Sequence, residues 1–162
     1  ILIASAALPG AFPPVFIDVE VKGQRYQEMH VDGGASAQVF VYPTKYQLAE
    51  RAAAMGMQRD RHLYVIRNAR LDPEWAHVER RTMSIAGRAI TSLIQTQGKG
   101  DVFRIFAVAQ RDQVDFNLAY IPDIFKAVHK EEFDNTYMRQ LFDLGYGLAK
   151  NGYDWVKQPP GF

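Results

Sequence analysis

The sequence contains no cysteine among its 162 residues. A disulfide framework, a cysteine-ligated zinc site and a cysteine nucleophile are therefore excluded. The sequence also lacks an excess of either charge, because 19 Lys and Arg side chains stand against 18 Asp and Glu. With a net charge of +1 it does not fit a protein that finds nucleic acid by charge alone, and we expect no nucleic-acid partner.

An apolar run long enough to cross a bilayer as a helix is lacking as well. Residues 1–17 carry no charge and imitate the core of a signal peptide, but three prolines and Gly10 interrupt them. They begin without an initiator Met or a basic leader, so we expect a chain that starts within a fold, as a piece of something longer. Hydrophobic residues make up 48% of the sequence, enough for the core of one domain, and we expect residues 1–162 to form a single unit.

A β-hairpin near the N-terminus is predicted by the alternation of apolar with other residues over 15–21. This is the period of a strand with one buried face. Gly23 offers a turn, and residues 25–31 then return antiparallel to a second turn. The second strand therefore delivers Asp32 to a turn in which the two following glycines permit backbone angles that other residues resist.

Downstream, the pattern predicts helices that alternate with strands. Apolar residues at helical spacing, with capping and stop signals, predict helices over residues 45–55, 80–97 and 134–150. Shorter apolar runs predict strands over residues 62–67, 102–109 and 116–121. We expect the second helix to end at Gly98-Lys99-Gly100 and strand 62–67 to be buried on both faces. This order indicates α/β layering rather than a pure β sandwich.

Two candidates for chemistry have ordinary structural alternatives. Ser36 lies in G-A-S-A-Q, the first half of a nucleophile elbow, but Gln38 replaces the second glycine and favours a structural serine. His30 and Asp32 share one face of a strand, which suits half of a metal site or of a catalytic pair. No third ligand follows at a metal-site spacing, so we expect no metal.

The middle of the chain is rich in arginine from Arg59 to Arg88, but acidic residues interrupt this stretch. A solvated surface of mixed charge is therefore favoured over a nucleic-acid groove. Weak attraction to anionic lipid headgroups stays open. Asp32 is a different case, because α/β folds place their ligands at such strand ends, although its spacing alone favours an ordinary Asp-Gly turn.

A pair of motifs gives Asp32 a more specific interpretation. Residues 4–15 read A-S-A-A-L-P-G-A-F-P-P-V, and residues 30–34 read H-V-D-G-G. Together they resemble the second half of bacterial patatin-like phospholipases, in which A-S-x-A-x-P-x-x-F-P-P precedes a D-G-[GA] motif. The resemblance covers nearly the whole chain, notably residues 63–70, 117–122 and 151–155.

The resemblance implies part of a three-layer α/β/α domain with a hairpin near the N-terminus and C-terminal helices. It implies a serine acyl hydrolase with a Ser-Asp dyad, in which Asp32 is the general base and Gly33 and Gly34 set its geometry. The implied substrates are fatty-acyl esters of phospholipids or related lipids, cleaved without metal or cofactor. The residues that this interpretation assigns to an acyl channel are Leu8, Pro9, Phe12, Pro13 and Pro14. Ordinary core packing stays open as the other explanation of this apolar run.

The chain departs from the family pattern in two places. Many members follow D-G-G with Asn-Asn-Pro, whereas this chain has A-S-A-Q at 35–38 and reaches a proline only at Pro43, so we expect a different substrate-facing loop. The G-x-S-x-G nucleophile and the glycine-rich oxyanion loop are absent from these residues. We therefore expect the chain alone to be inactive and to associate with a missing N-terminal half. A truncated α/β sheet exposes an edge strand and apolar surface, so we also expect oligomerisation. Contact with a membrane surface stays open, and the resemblance favours the cell envelope over the cytoplasm without fixing the compartment.

Two other interpretations stay open. The first is a non-catalytic lipid-binding or interaction module, which keeps the scaffold and the Asp32 turn without a working serine. The second is an unrelated α/β domain in which D-G-G is fortuitous, and the pairing of the two motifs disfavours it. A G-x-S-x-G motif upstream, between a strand and a helix, distinguishes the enzyme from the binding module.

Overall fold

The structure is a computed structural model, and it describes residues 1–9, 12–72, 77–128 and 133–161. It is a mixed α/β structure, as the sequence predicts. The helices and strands are α1 Leu2–Ser5, β1 Val15–Val21, β2 Gln24–His30, α2 Leu48–Ala54, β3 His62–Arg67, α3 Thr82–Arg111, β4 Asp115–Tyr120 and α4 Asn135–Lys150. None of the helices in the described ranges is both long and apolar enough to cross a membrane.

The chain divides into two compact units. The first comprises Ile1–Tyr42 with Val78–Val102, and the second comprises Pro43–His77 with Phe103–Phe162. The first unit contains the sheet of β1 and β2, and the second contains the sheet of β3 and β4. The expectation that residues 1–162 form a single unit within a larger domain stays a prediction.

The predicted hairpin is confirmed. β1 and β2 pair antiparallel, from Val15 opposite His30 to Val21 opposite Gln24. The two residues between the strands, Lys22 and Gly23, have φ angles of 53° and 75°. Two consecutive left-handed residues make the tight turn whose twist matches that of the flanking strands, which explains the glycine at this position.

The strand prediction over residues 62–67 is confirmed, but its burial on both faces is wrong. β3 pairs in parallel with β4, and its inward side chains, Val65 and Arg67, are buried. The alternate residue Ile66 is 78% exposed. β4 is the better covered strand, because it lies between β3 and a bridge to Val156. In the described residues β3 is therefore an edge strand with one open face.

The predicted break at Gly98-Lys99-Gly100 and the predicted strand over 102–109 are both wrong, since α3 runs without interruption from Thr82 to Arg111. A glycine costs a helix about 1 kcal/mol relative to alanine, which burial of apolar side chains outweighs. The side chains whose burial stabilises this part of the helix are spaced with a helical period and are almost fully buried: Val102, Ile105, Phe106 and Ala109. Strand and turn residues predicted at 102–113 thus belong mainly to a helix.

The two remaining helices are close to their predictions. α2 is shorter than residues 45–55, because it begins after Gln47 and not after Thr44. It ends before Gly56, whose φ of 64° is the left-handed stop that the sequence predicts. α4 begins as predicted at Asp134, whose carboxylate accepts hydrogen bonds from the N–H groups of Thr136 (2.9 Å) and Tyr137 (3.2 Å).

Candidate functional site

Asp32 lies in the first unit, immediately after β2 and at the start of a 3-10 turn, Gly33–Ala35. Its N–H donates to the carbonyl oxygen of Ala7 over 2.9 Å. Its Oδ1 accepts a hydrogen bond of 2.7 Å from the N–H of Gly34. Because Ala7 belongs to the first motif and Asp32 to the second, the fold joins the two motifs at the backbone of Asp32. Gly10 and Ala11 of the first motif lie outside the described residues.

The two glycines after Asp32 do not adopt the unusual backbone angles that the sequence predicts. Neither Gly33 nor Gly34 has a positive φ, so the turn does not require a left-handed residue. Glycine is needed at position 34 for steric reasons, because a Cβ there would lie 3.1 Å from Asp32 Oδ1. A Cβ on Gly33 would meet nothing within 4 Å. Gly34 therefore permits the short hydrogen bond that fixes the carboxylate.

The loop after this turn is held on α3 by Asp101. The Asp101 Oδ2 accepts hydrogen bonds from the N–H groups of Gln38 (2.7 Å) and Val39 (3.3 Å). The Gln38 side chain in turn donates from Nε2 to the carbonyl oxygen of Ile94 over 2.7 Å. Asp101 is buried, and the sequence reading missed it because residues 102–109 looked like a strand. Its signal is a carboxylate one residue before the buried helical stripe that starts at Val102.

An open cavity of about 460 Å³ adjoins Asp32. Its apolar walls come from α3 and from the segment after α1, through Ile90, Leu93, Ile94, Leu8 and Pro9. Of the lining residues in the described part of the chain, Asp32 alone is ionisable. The cavity thus combines a hydrocarbon-compatible wall with a single carboxylate, a size and composition common in small-molecule sites.

The predicted channel residues separate into two groups. Leu8 and Pro9 line the cavity beside Asp32, whereas Phe12, Pro13 and Pro14 do not. Phe12 is 62% exposed, and the two prolines that follow lead the chain directly into β1. The structure therefore brings only the first two of the five together with the carboxylate.

The alternative candidates do not share this cavity. His30 places Nε2 3.2 Å from Glu28 Oε2, so it pairs along its own strand. Ser36 is exposed, and its N–H donates to the Gly33 carbonyl oxygen. Among the residues that the structure describes, no serine lines the cavity with Asp32, and no three His, Asp or Glu side chains gather as they would around a metal ion.

The second oxygen of the Asp32 carboxylate is available. Within the described ranges, Oδ2 accepts no hydrogen bond and the carboxylate forms no ion pair. A carboxylate with one oxygen fixed and the other open can accept a proton from a hydroxyl brought within about 2.6–3.2 Å. The arrangement thus has the chemical capacity of a general base that is oriented by the backbone.

Comparisons with known proteins add no further assignment. No protein-family model, no curated protein and no solved structure matches this chain. The interpretation of the Asp32 site therefore depends on the two motifs, on the hydrogen bonds that join them, and on the cavity beside them.

Proposed function

We propose that this chain is the carboxy-terminal portion of a patatin-like serine acyl hydrolase with a three-layer α/β/α domain. Asp32 is the general base of its Ser-Asp dyad, and its substrates are fatty-acyl esters of lipids. The observation that carries the proposal is the position of Asp32, whose carboxylate is fixed by Gly34 at an apolar cavity where the two motifs meet.

The reaction needs a serine from outside these residues, because the sequence contains no G-x-S-x-G. That hydroxyl attacks the ester carbonyl carbon while Asp32 Oδ2 takes its proton. The tetrahedral intermediate expels the alcohol, which receives the proton back from Asp32, and leaves an acyl-serine. Water then attacks the acyl-serine and gives a proton to Asp32; the tetrahedral intermediate collapses to the fatty acid, and Asp32 returns the proton to the leaving serine oxygen, which regenerates both groups. Neither a metal nor a cofactor takes part.

The cavity accounts for the choice of an acyl chain. Its walls are formed by the aliphatic side chains of Leu8, Ile90, Leu93 and Ile94. Each methylene transferred from water into such surroundings contributes about 0.8 kcal/mol. A chain bound along this wall can place its ester end near the Asp32 carboxylate, which favours an acyl substrate over a polar one. Such lipids are presented at a membrane surface, so peripheral membrane contact is part of this proposal.

The second candidate is a non-catalytic lipid-binding module. It is favoured by one observation, that no serine in the described residues shares the cavity with Asp32. In that case the same apolar wall binds a lipid that is not cleaved, and Asp32 has only the structural role of capping the turn after β2.

The decisive experiment compares hydrolysis of a short-chain p-nitrophenyl ester by the full-length protein and by the 162-residue chain. Asp32→Asn is tested in the full-length protein, with Asp18→Asn as the matched control, because Asp18 is an exposed carboxylate on β1 outside the cavity. We expect Asp32→Asn to lower turnover by roughly 10²–10⁴-fold, as removal of a general base does. The control should retain turnover, and the 162-residue chain should have none.

Other outcomes assign the protein differently. Unchanged turnover in the Asp32→Asn protein overturns the dyad. An inactive full-length protein that still binds fatty acid favours the binding module. Hydrolysis by the 162-residue chain that Ser36→Ala abolishes would identify Ser36 as the nucleophile.

A further inference from the structure

A second group of polar side chains surrounds Asp115, at the start of β4 in the second unit. Lys157 Nζ lies 2.8 and 2.9 Å from the two oxygens of Asp115 and 2.7 Å from Asn117 Oδ1. His62 Nδ1 lies 2.9 Å from Asp115 Oδ2. The parallel register brings these residues together, because His62 is the pairing partner of Asp115.

The negative charge of Asp115 is paired within this group, chiefly with the Lys157 ammonium. The Lys157 ammonium, with the hydrogen bonds from His62 and Asn117, holds the pKa of Asp115 well below its usual range. The carboxylate is therefore ionised and paired at neutral pH. The Lys157 ammonium therefore offsets the repulsion between the Asp115 carboxylate and an anion in its vicinity.

An open cavity of about 700 Å³ adjoins the Asp115 group. Its charged or titratable lining residues in the described chain are Arg59, Asp60, Arg61, His62 and Asp115. Since Asp115 is compensated by Lys157, a single carboxylate, Asp60, opposes two guanidinium groups and an imidazole. The field in this cavity therefore favours an anion.

Two of these side chains, Arg61 and His62, are held in place. Arg61 donates from Nη1 to the carbonyl oxygen of Asp112 over 3.2 Å, and its own carbonyl oxygen accepts from the Asp115 N–H over 2.8 Å. His62 is tied to Asp115 through Nδ1, which leaves Nε2 on the opposite side of the ring. Such fixed donors lose little freedom when they bind a ligand.

The other wall of the cavity carries a negative potential that capping reduces. It contains the end of α2, where helix carbonyl groups give a negative potential. However, the last carbonyl oxygens of α2 accept hydrogen bonds from the N–H groups of Met55, Gly56 and Met57. The end of the short helix is therefore capped from within the chain.

We propose that this cavity binds a phosphate group through Arg59, Arg61 and His62. Guanidinium groups suit phosphate because their planar N–H donors match two of its oxygens, and an imidazole adds a further donor when protonated. The phosphate is either that of a small soluble anion or that of a lipid headgroup, since the same oxygens recognise both. The site is independent of Asp32 and of the proposed hydrolase activity.

The first test is titration of the protein with inorganic phosphate and with glycerol 3-phosphate, followed by calorimetry and by NMR shifts of backbone amides. Arg59→Gln is the test variant, because Arg59 is exposed and its replacement leaves the core intact. Arg139→Gln on α4 is the matched control, since it removes the same charge from an exposed position of the same unit outside this cavity. We expect Arg59→Gln to weaken binding roughly tenfold or more and Arg139→Gln to leave it unchanged.

The second test distinguishes the two sources of phosphate. Phosphatidylcholine vesicles are prepared with and without phosphatidic acid and sedimented with the protein. Retention that requires phosphatidic acid and Arg59 identifies a headgroup site, whereas binding of soluble phosphate without vesicle retention identifies a free anion. Absence of binding in all arms, or equal binding by the Arg59→Gln and Arg139→Gln proteins, overturns the proposal.

Discussion

The cavity beside Asp32 and the cavity beside Asp115 use a carboxylate in opposite ways. Asp32 is fixed by a neutral backbone N–H, and within the described residues it forms no ion pair. Asp115 is held by the ammonium of Lys157 and by His62. A cation beside a carboxylate favours its charged form and weakens it as a proton acceptor. Asp32 is therefore oriented by the backbone with its second oxygen open, whereas Asp115 is paired with Lys157 and hydrogen-bonded to His62.

The side chains that line the two cavities also differ in polarity. Aliphatic side chains of α3, such as Leu93, line the first cavity. Arginine and histidine side chains line the second, including Arg59 and His62. One surface is matched to hydrocarbon and the other to an anion, so substitutions can separate the two proposals cleanly.

Replacing each of the two carboxylates in turn distinguishes their roles. In the full-length protein, Asp32→Asn should lower ester turnover by roughly 10²–10⁴-fold, because the general base is lost. Asp115→Asn should leave turnover nearly unchanged, because Asp115 does not line the cavity beside Asp32. Steady-state kinetics of the two variants measures this contrast, and equal losses in both would show that folding, rather than chemistry, accounts for them.

The next effect tests how the Asp32 carboxylate is oriented. Gly34→Ala places a Cβ 3.1 Å from Asp32 Oδ1 and should shift the carboxylate, whereas Gly33→Ala adds a Cβ that meets nothing within 4 Å. We expect turnover to fall roughly tenfold or more in the first variant, as expected for a misplaced catalytic group, and to stay close to that of the unmodified protein in the second. Kinetics at matched thermal stability is the measurement, and the reverse order contradicts the assigned role of Gly34.

A smaller effect concerns the pH dependence of the Asp115 group. Its pKa is lowered in the folded protein, chiefly by Lys157, so the group stabilises the fold above the ordinary aspartate pKa of about 3.9. This stabilisation is lost as the pH falls through the lower folded pKa. Lys157→Met should therefore reduce the urea midpoint at neutral pH and have a diminishing effect in strong acid. A Lys157→Met effect that grows on acidification contradicts the pairing, and Lys45→Met at an exposed position is the control.

The smallest effect should leave both cavities unchanged. Gly100 lies on the exposed side of α3, and a Cβ there meets nothing within 4 Å. Gly100→Ala should raise the free energy of unfolding by about 0.5–1 kcal/mol, because alanine favours the helix. Denaturant unfolding measures it, with neither ester turnover nor phosphate binding affected. Destabilisation by this substitution contradicts a continuous α3.

Much of the local structure was predictable from the sequence because its signals are local. The turn at Lys22-Gly23, the stop at Gly56 and the cap at Asp134 each depend on residues close together in the chain. Asp32 could be picked out as a candidate for the same reason, since its motifs occupy two short segments joined by a hairpin.

The rest depends on tertiary packing. The continuity of α3 through Gly98 follows from burial of residues such as Phe106, which no glycine signal reveals. Asp101 became recognisable only once this helix was known. The Asp115 group forms because β3 and β4 pair side by side, and that register carries no signature in either strand.

The wide separation of β3 and β4 has a consequence for the order of folding. His62 and Asp115 are partners although 53 positions separate them, whereas the β1–β2 hairpin closes over the two residues Lys22 and Gly23. Hairpins form in roughly 1–10 μs, but a parallel pair must first close its long intervening loop. The hydrogen-bonded group around Asp115 therefore forms after the β1–β2 hairpin, and in the nascent chain it must also wait until Lys157 has been synthesised.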